Sequence, residues 1–406
     1  MTDYTIEKLG FQGDGVAAGP IYAPRTVPGD TVVGRLDGQT LKDVKIVKPS
    51  GDRVKPPCPR FRSCGGCQLQ HISDDFVAAW KADVIRAALA SHDLSPEILP
   101  TLTSPPSSRR RATFSARRTK KGGRAGFHAL GSDVIIEIPN CTLITQDLLG
   151  SLEVCEDLSV VGASRKGSLS VTATASTAGL DISATGGKPL DQEMRLALAG
   201  LAERRDLARL VWEGELIAQR RLPYQVFGGI KIGPPPGAFL QATKHGEQTL
   251  QSLVMQTLEG RSNILDLFAG CGTFALPLAR RAQVHAVEGS KQMVEALDRA
   301  WRDAEALKHV SVEARDLFRR PMDKSELGQF DGVAIDPPRA GAIAQVRELA
   351  RSKIPSIAYV SCNPTTFARD AKILVEGGYE LTWVQPVDQF RWSTHVELAA
   401  EFVRAG

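Results

Sequence analysis

The chain has 406 residues, 42% hydrophobic and 24% charged, with a formal net charge of +4. That length allows two or three domains with sizeable cores, and the composition excludes a disordered chain. No stretch has the apolar length of a membrane span, and the start, MTDYTIEKLG, carries acids and no apolar run, so a cytoplasmic protein is expected, with seven cysteines that point to metal binding or catalysis more than to disulfides.

Taken in chain order, residues 1–55 are short β runs broken by glycine and proline, YTIEKLG, GVAAGPIYAP, DTVVGRL and DVKIVKP, which predict a small barrel. The block PPCPRFRSCGGCQLQH is too rich in turn residues for regular structure. DDFVAAWKADVIRAALASH predicts a helix over 73–91, with Phe76, Trp80, Val84 and Ala87 at helical spacing and Ser73 or Asp74 as cap. SPPSS is a linker. Residues 109–235 read as β-rich with a helix near 190–205, and PPPGAF at 234–239 marks a second boundary. From there strands alternate with helices: NILDLFAGCG, VHAVEGS, VSVEARDLF, FDGVAIDPP, IAYVSCNP and ELTWVQPVD. That alternation predicts a doubly wound parallel sheet. The domain division is 1–55, 56–235 and 236–406.

Charge is unevenly spread. RRRATFSARRTKKGGR at 109–124 holds eight bases in sixteen residues and no acid. Such a run is often a solvated face. Eight uncompensated cations also repel one another, and a polyanion relieves that repulsion. Thr113, Phe114 and Ser115 have strand character, which places the bases on a sheet and its hairpin, suited to nucleic-acid backbone.

ILDLFAGCGTFALPLA reads as a buried strand, a glycine turn and a helix start. Gly270 and Gly272 let the backbone turn sharply and approach a ligand. A Gly-x-Gly loop alone also fits dinucleotides. Here, however, Asp266 precedes the loop, Phe274 stands where a dinucleotide site has its third glycine, and the next strand ends in Glu288, placed for ribose hydroxyls. The third strand ends in Arg315-Asp316-Leu317, with Asp316 placed for an adenine amino group, and the fourth in Asp336-Pro337-Pro338-Arg339. An acid at each strand tip resembles the class I S-adenosylmethionine-dependent methyltransferases. Methyltransferases of exocyclic amines carry an aromatic after Asp-Pro-Pro; Arg339 in that place disfavours amino methylation.

Cys362 ends the buried run IPSIAYV and is followed at once by Asn363-Pro364, which stops the strand and starts a turn. Carbon 5 of a pyrimidine is a poor nucleophile until a thiolate adds to C6, and a base must later take the C5 proton. That chemistry needs one cysteine and one carboxylate. Cys362 and Glu397, in FRWSTHVELAA, fill the two roles; singly, each also reads as an ordinary buried cysteine and a surface acid, and His395 as a supporting residue.

FLQAT, DLFAGCGTF, VEGS, DPPRAG, SCNP and WSTHVE, in this order over nearly the full length, resemble the RNA uracil-5-methyltransferases, the family that includes the bacterial 23S ribosomal RNA enzymes. The resemblance implies a donor site lined by Gln241, Phe268, Thr273, Glu288, Asp316 and Asp336, with Cys362 as nucleophile and Glu397 as proton acceptor. Where the family often has asparagine, this chain has Thr243 and Thr273. Residues 1–55 resemble a TRAM domain, an OB-like barrel that binds RNA, and family likeness also implies that helix 73–91 packs on the catalytic domain.

Cys58, Cys64 and Cys67 form C-x5-C-x2-C among prolines and glycines, the setting of sulfur ligands. Cys141, in IEIPNCTLI, is a fourth ligand and Cys155 its competitor; the spacing leaves zinc and iron open. The ribosomal RNA branch of the family carries this spacing with a four-iron cluster, which implies Cys141 and a [4Fe-4S] group and weighs against the tRNA branch, which generally lacks both barrel and cluster. Cys271, inside the glycine turn, reads as a packing residue. The reading is a monomeric multidomain enzyme: an OB-like barrel, a β-rich central domain with an iron–sulfur loop, and a Rossmann-like methyltransferase domain. It is expected to transfer methyl from S-adenosylmethionine to C5 of a uridine in 23S rRNA. The alternatives are a tRNA enzyme, an RNA amino- or ribose-methyltransferase, and a non-catalytic RNA-binding iron–sulfur protein.

Overall fold

A computed structural model describes residues 2–404. The first 48 residues supply five strands, Asp3–Leu9, Gly15–Ala17, Ile21–Ala23, Thr31–Asp37 and Thr40–Lys48, which close into a barrel in the order first, second, third, fifth, fourth. Alternation along the strands sends Ile6, Ala17, Ala23, Val32 and Leu41 inward. The buried Asp30 ties off the barrel exit. Its carboxylate accepts from the N–H groups of Val27 and Ser50 and pairs with Arg53 at 2.5 Å.

The central domain is a seven-stranded sheet built from Arg111 to Gln219, with Ile135–Ile136 and Gly122–His128 at one edge and Glu215–Gln219 at the other. Its only parallel pair among the described strands is Gly179–Thr185 with Arg209–Trp212. Two helices, Gln146–Gly162 and Gln192–Arg204, share its core: Leu148, Leu152, Leu158, Leu198 and Leu201 pack with Phe114, Val171, Ile182 and Trp212. The sequence reading missed the first of these helices. Its signals were present: Thr145 caps it by accepting from the Leu148 N–H, and Leu148, Leu152, Cys155 and Ser159 recur at helical spacing on the buried side.

The C-terminal sheet runs Val310–Ala314, Gln283–Glu288, Asn263–Leu267, Gly332–Ile335, Ser356–Ser361, Glu397–Arg404, Tyr379–Asp388, Glu97–Ile98. The first five strands are parallel and Glu397–Arg404 is antiparallel to both neighbours. Helices cover both faces, which is why Gly332–Ile335 and Ser356–Ser361 are buried throughout rather than alternating. Strand order reverses beside Asn263–Leu267, and in open sheets of this kind the carboxyl ends of the strands beside such a reversal are where ligands bind.

The N-terminal half also contributes to this sheet. Glu97–Ile98 and Leu102–Thr103 pair parallel with Tyr379–Asp388 and so cover an edge that would otherwise expose unpaired backbone. The helix Asp74–Ala90, capped by Ser73, buries Ile85 and Leu89 in the catalytic core. On the same helix Lys81 is fully buried and meets Asp388 at 2.6 Å. Among the described residues no helix is long and apolar enough to cross a membrane.

Candidate active site

The glycine turn after Asn263–Leu267 holds three residues at positive φ: Phe268 at 60°, Gly270 at 56° and Gly272 at 91°. The two glycines are needed for different reasons. A Cβ on Gly270 would meet nothing within 4 Å and would project into open space, the shape of a ligand cradle; a Cβ on Gly272 would overlap Leu297. Glu288, one strand over, braces the turn: one carboxylate oxygen accepts from the Gly270 N–H at 3.0 Å and the other from Ser290 N–H at 2.8 Å. Asp316, past the third strand, accepts from the Phe318 N–H at 3.0 Å. Thr273 is held through its carbonyl, which accepts from the Gln251 amide at 2.9 Å.

The Phe268 ring lies 5.5 Å from that of Phe318, tilted at 55°, and Phe318 is half exposed. The sequence reading stopped at Leu317 and did not single out Phe318, although a large apolar residue two positions past Asp316 was there to be noticed.

Asp336 and Cys362 stand at the ends of neighbouring parallel strands. The antiparallel register sets Ser361 opposite Leu398, so Glu397 arrives beside Cys362 from the other side. Glu397 is buried at 1% exposure, and its Oε2 has no hydrogen-bond partner. Burial, with Asp336 adding to it, holds the Glu397 carboxyl well above the usual carboxylate range. Burial raises Asp336 as well. Burial first, then the charges of Glu397 and Asp336, push the Cys362 thiol up to about 11, with Arg339 opposing. Asn363 fixes the thiol's place. It caps the helix Pro364–Glu376 by accepting from Thr365, while its amide donates to the Arg339 carbonyl at 2.9 Å. His395 is exposed, with its ring 6.1 Å from that of Phe390.

Gln241 joins this group. Its amide nitrogen lies 3.3 Å from Asp336 Oδ2 and its Oε1 accepts from Gln389 at 2.5 Å. Gln241, Asp336, Cys362 and Glu397 thus come together, while Phe268, Thr273, Glu288 and Asp316 belong to the glycine turn and the ends of the neighbouring strands. Both the orphaned carboxylate oxygen and the open cradle at Gly270 suit a bound molecule with donors and a flat ring.

The cysteine loop lies beside the central sheet. Cys58, Cys64, Cys67 and Cys141 act electrostatically on one another, and burial before all else pushes Cys67 up to about 12. Cys155 is fully buried in the helix Gln146–Gly162, inside the core. N–H groups point at sulfur: Gly66 at Cys64, and Leu143 and Ile144 at Cys141. Cys58 and Cys141 line a cavity of ≈ 180 Å³. Among the described residues no three Cys, His, Asp or Glu side chains close to the spacing of a single metal ion.

The basic segment divides. Arg118, Lys120, Lys121 and Arg124 are exposed on the hairpin between Arg111–Thr119 and Gly122–His128. Arg110 is not part of a charged surface. It is buried, pairs with Glu247, and donates to the Gln241 carbonyl at 3.2 Å. Arg109 donates from Nε to the Arg111 carbonyl at 3.0 Å and lies near enough to Cys67 and Cys141 to feel their charge.

The sequence profile of the family described as tRNA (Uracil-5-)-methyltransferase matches residues 234–404. An RNA methyltransferase of Rhizobium meliloti is 44% identical over 98% of both chains. The 23S rRNA (uracil(1939)-C(5))-methyltransferase of Shewanella amazonensis is 31% identical over 98% of this chain and 94% of its own. The chain belongs to the RNA uracil-5-methyltransferase family. It is an S-adenosylmethionine-dependent enzyme of uracil C5 in RNA. Among solved structures, the tRNA (uracil-54, C5)-methyltransferase of Pyrococcus abyssi, in complex with S-adenosyl-L-homocysteine, matches with a TM-score of 0.75 at 23% identity over 99% of both chains. That likeness is one of fold, and it runs end to end. A protein whose name specifies tRNA thus shares the fold over its whole length, so the N-terminal barrel by itself does not assign the RNA.

Proposed function

We propose that this enzyme methylates C5 of a uridine in 23S ribosomal RNA through a covalent adduct between Cys362 and C6 of the uracil. The observation that carries the chemistry is the convergence of a strand-end thiol and a buried, unpartnered carboxylate across adjacent strands, next to the glycine turn. The identity to a 23S rRNA enzyme over nearly the whole chain supports the choice of RNA.

Gln241, Phe268, Thr273, Glu288, Asp316 and Asp336 hold S-adenosylmethionine. When bound, it supplies an electrophilic methyl group. The Cys362 thiol gives its proton to solvent, Sγ adds to C6, and the C5=C6 electron pair moves onto C5 and the C4 carbonyl. C5 takes the methyl group, which leaves S-adenosylhomocysteine as the other product. Glu397 then accepts the C5 proton, the pair returns to C5=C6, and the Sγ–C6 bond breaks to release the thiolate. The raised carboxyl of Glu397 suits a base that must take a proton from carbon near neutral pH. Entry of the uracil requires it to leave its stack, which costs a few kcal/mol and favours a loop substrate.

Cys58, Cys64, Cys67 and Cys141 hold a [4Fe-4S] cluster. Four soft sulfur ligands near one another, two of them, Cys58 and Cys141, on a cavity of ≈ 180 Å³, with N–H groups aimed at Cys64 and Cys141, support a cluster over zinc. Its place is structural. The Gln68 and Leu69 N–H groups donate to the Trp392 carbonyl at 2.8 and 3.0 Å, so the cysteine loop braces the segment that leads to Glu397.

Mass mapping of ribosomal and transfer RNA from a deletion strain tests the substrate. Loss of 5-methyluridine from one 23S fragment is expected; loss from tRNA alone overturns the ribosomal assignment.

A further inference from the structure

We propose that Gln389 is a positioning residue that fixes the polarity of the Gln241 carboxamide, so that Gln241 always presents an N–H to Asp336. The proposal rests on the donor-site reading of Gln241 and Asp336 given above.

Two backbone donors, whose direction is not open to choice, fix the relay. The N–H groups of Ala242 and Thr243 point at one terminal atom of the Gln389 side chain, at 2.7 and 3.4 Å. A backbone N–H requires an acceptor, so that atom is the carbonyl oxygen. The other terminal atom of Gln389 is then the amide nitrogen, and it lies 2.5 Å from Gln241. The Gln241 atom facing it must accept, so it is Oε1. What remains of Gln241 is its own amide nitrogen, 3.3 Å from Asp336 Oδ2. The two backbone N–H groups thus set the orientation of both carboxamides.

Both glutamines are 1% exposed, so water does not compete for these bonds. The backbone around them is held as well. Gln389 follows Asp388, which is pinned by buried Lys81, and the carbonyl of Gln241 accepts from Arg110, itself paired with Glu247. The relay thus joins the tail of Tyr379–Asp388 to Asp336.

Its consequence is electrostatic. Other groups act on Asp336 or on its neighbours from every side: Asp266 and Glu288 from the first two strands, Tyr359 and Cys362 from the fifth, Glu397 from the antiparallel strand, and Arg339 from the turn. Burial disfavours the Asp336 carboxylate, and its charge in turn raises Asp266, Tyr359, Cys362 and Glu397. An N–H aimed at Oδ2 favours the carboxylate and keeps a lone pair on that oxygen. Were Gln241 to turn over, its Oε1 would face Asp336 and favour the protonated acid instead.

The test is a double-mutant cycle between Gln389→Met and Gln241→Met, with Gln389→Glu as a nearly isosteric second variant that accepts from Ala242 and Thr243 but cannot donate to Gln241 as a carboxylate. S-adenosylhomocysteine affinity by calorimetry and the pH dependence of kcat are measured for each. Gln389→Met and Gln389→Glu are expected to lower kcat at pH 7 about five-fold or more, the worth of one neutral hydrogen bond, and to move the acid limb of the profile to higher pH. In the Gln241→Met background the Gln389→Met effect is expected to vanish. If both Gln389 variants match wild type, or if Gln389→Met costs as much in the Gln241→Met background as alone, the relay is overturned and Gln389 only packs. If Gln241→Met itself leaves affinity and turnover unchanged, the donor-site reading fails, and the relay with it.

Discussion

Cys362 carries a thiol that its surroundings hold protonated, and the same surroundings give its reactivity a definite pH dependence. Glu397 and Asp336 are acids near the thiol, and each negative charge favours S–H over the thiolate. With the thiol near 11 and both carboxyls raised, the reactive forms of all three groups gain population as pH rises. Single-turnover methylation is therefore expected to speed up from pH 7 to pH 9, measured with tritiated donor; a rate that falls over that range contradicts the assignment. Glu397→Gln removes one of the opposing charges. The midpoint for alkylation of Cys362 by iodoacetamide, followed on its peptide by mass spectrometry, is expected to fall below that of wild type. The glycines of the donor turn separate in the same residue-level way. Gly270→Ala places a methyl in open space and costs about 1 kcal/mol for its left-handed backbone, leaving the fold intact while weakening S-adenosylhomocysteine binding. Gly272→Ala, which adds overlap with Leu297, is expected to cost about 2 kcal/mol or more in denaturant unfolding.

Among the elements, the strand Arg111–Thr119 and its hairpin show how one basic run serves two purposes. Arg110 is the buried partner of Glu247 and joins the central sheet to the helix Lys244–Thr257. Removing one member of a buried pair leaves the other uncompensated, so Arg110→Met is expected to destabilise the protein by about 3 kcal/mol. Neutralising Arg118, Lys120 and Lys121 instead is expected to leave stability unchanged. It should weaken RNA binding and flatten its salt dependence by about one log–log unit per lost phosphate contact at most. An unchanged slope makes that hairpin a solvated surface only. The sequence could not separate these arginines, because a run of like charges does not reveal which member finds a carboxylate 137 positions away. By contrast, the alternating strands and helices from Asn263 onward were legible, since buried parallel strands are continuous apolar runs and the acids stand at their ends. The pairing of Glu97–Ile98 and Leu102–Thr103 with Tyr379–Asp388 was not legible: two-residue strands have no periodicity to read. Gln389 was invisible for a similar reason, as its meaning depends on two backbone N–H groups brought near only by the fold.

Across the whole molecule, the N-terminal half is part of the C-terminal domain's architecture. Helix Asp74–Ala90 and the short strands after it complete the catalytic sheet, and the cysteine loop holds the Trp392 carbonyl on the way to Glu397. A cluster on Cys58, Cys64, Cys67 and Cys141 would stiffen that link. Protein purified without oxygen is expected to be brown with about four irons per chain, as for a Cys₄-held [4Fe-4S] group, and chelation is expected to lower its thermal midpoint. A colourless protein holding one zinc contradicts the cluster. The turn-rich spacing singled out Cys58, Cys64 and Cys67, but spacing alone could not choose between Cys141 and Cys155 as their companion, because only the fold reveals that the helix Gln146–Gly162 draws Cys155 into the core.

The claim on which the rest depends is that Cys362 bonds to the uracil and Glu397 releases it. The most direct measurement is mass spectrometry of the protein–RNA species formed by Glu397→Gln with substrate RNA and S-adenosylmethionine, digested with protease and nuclease. The account predicts a denaturation-resistant complex in which the peptide containing Cys362 carries a methylated uridine nucleotide, and no such species from Cys362→Ala. A 5-methyluridine product released by Cys362→Ala at the wild-type rate, with no adduct in Glu397→Gln, would contradict it.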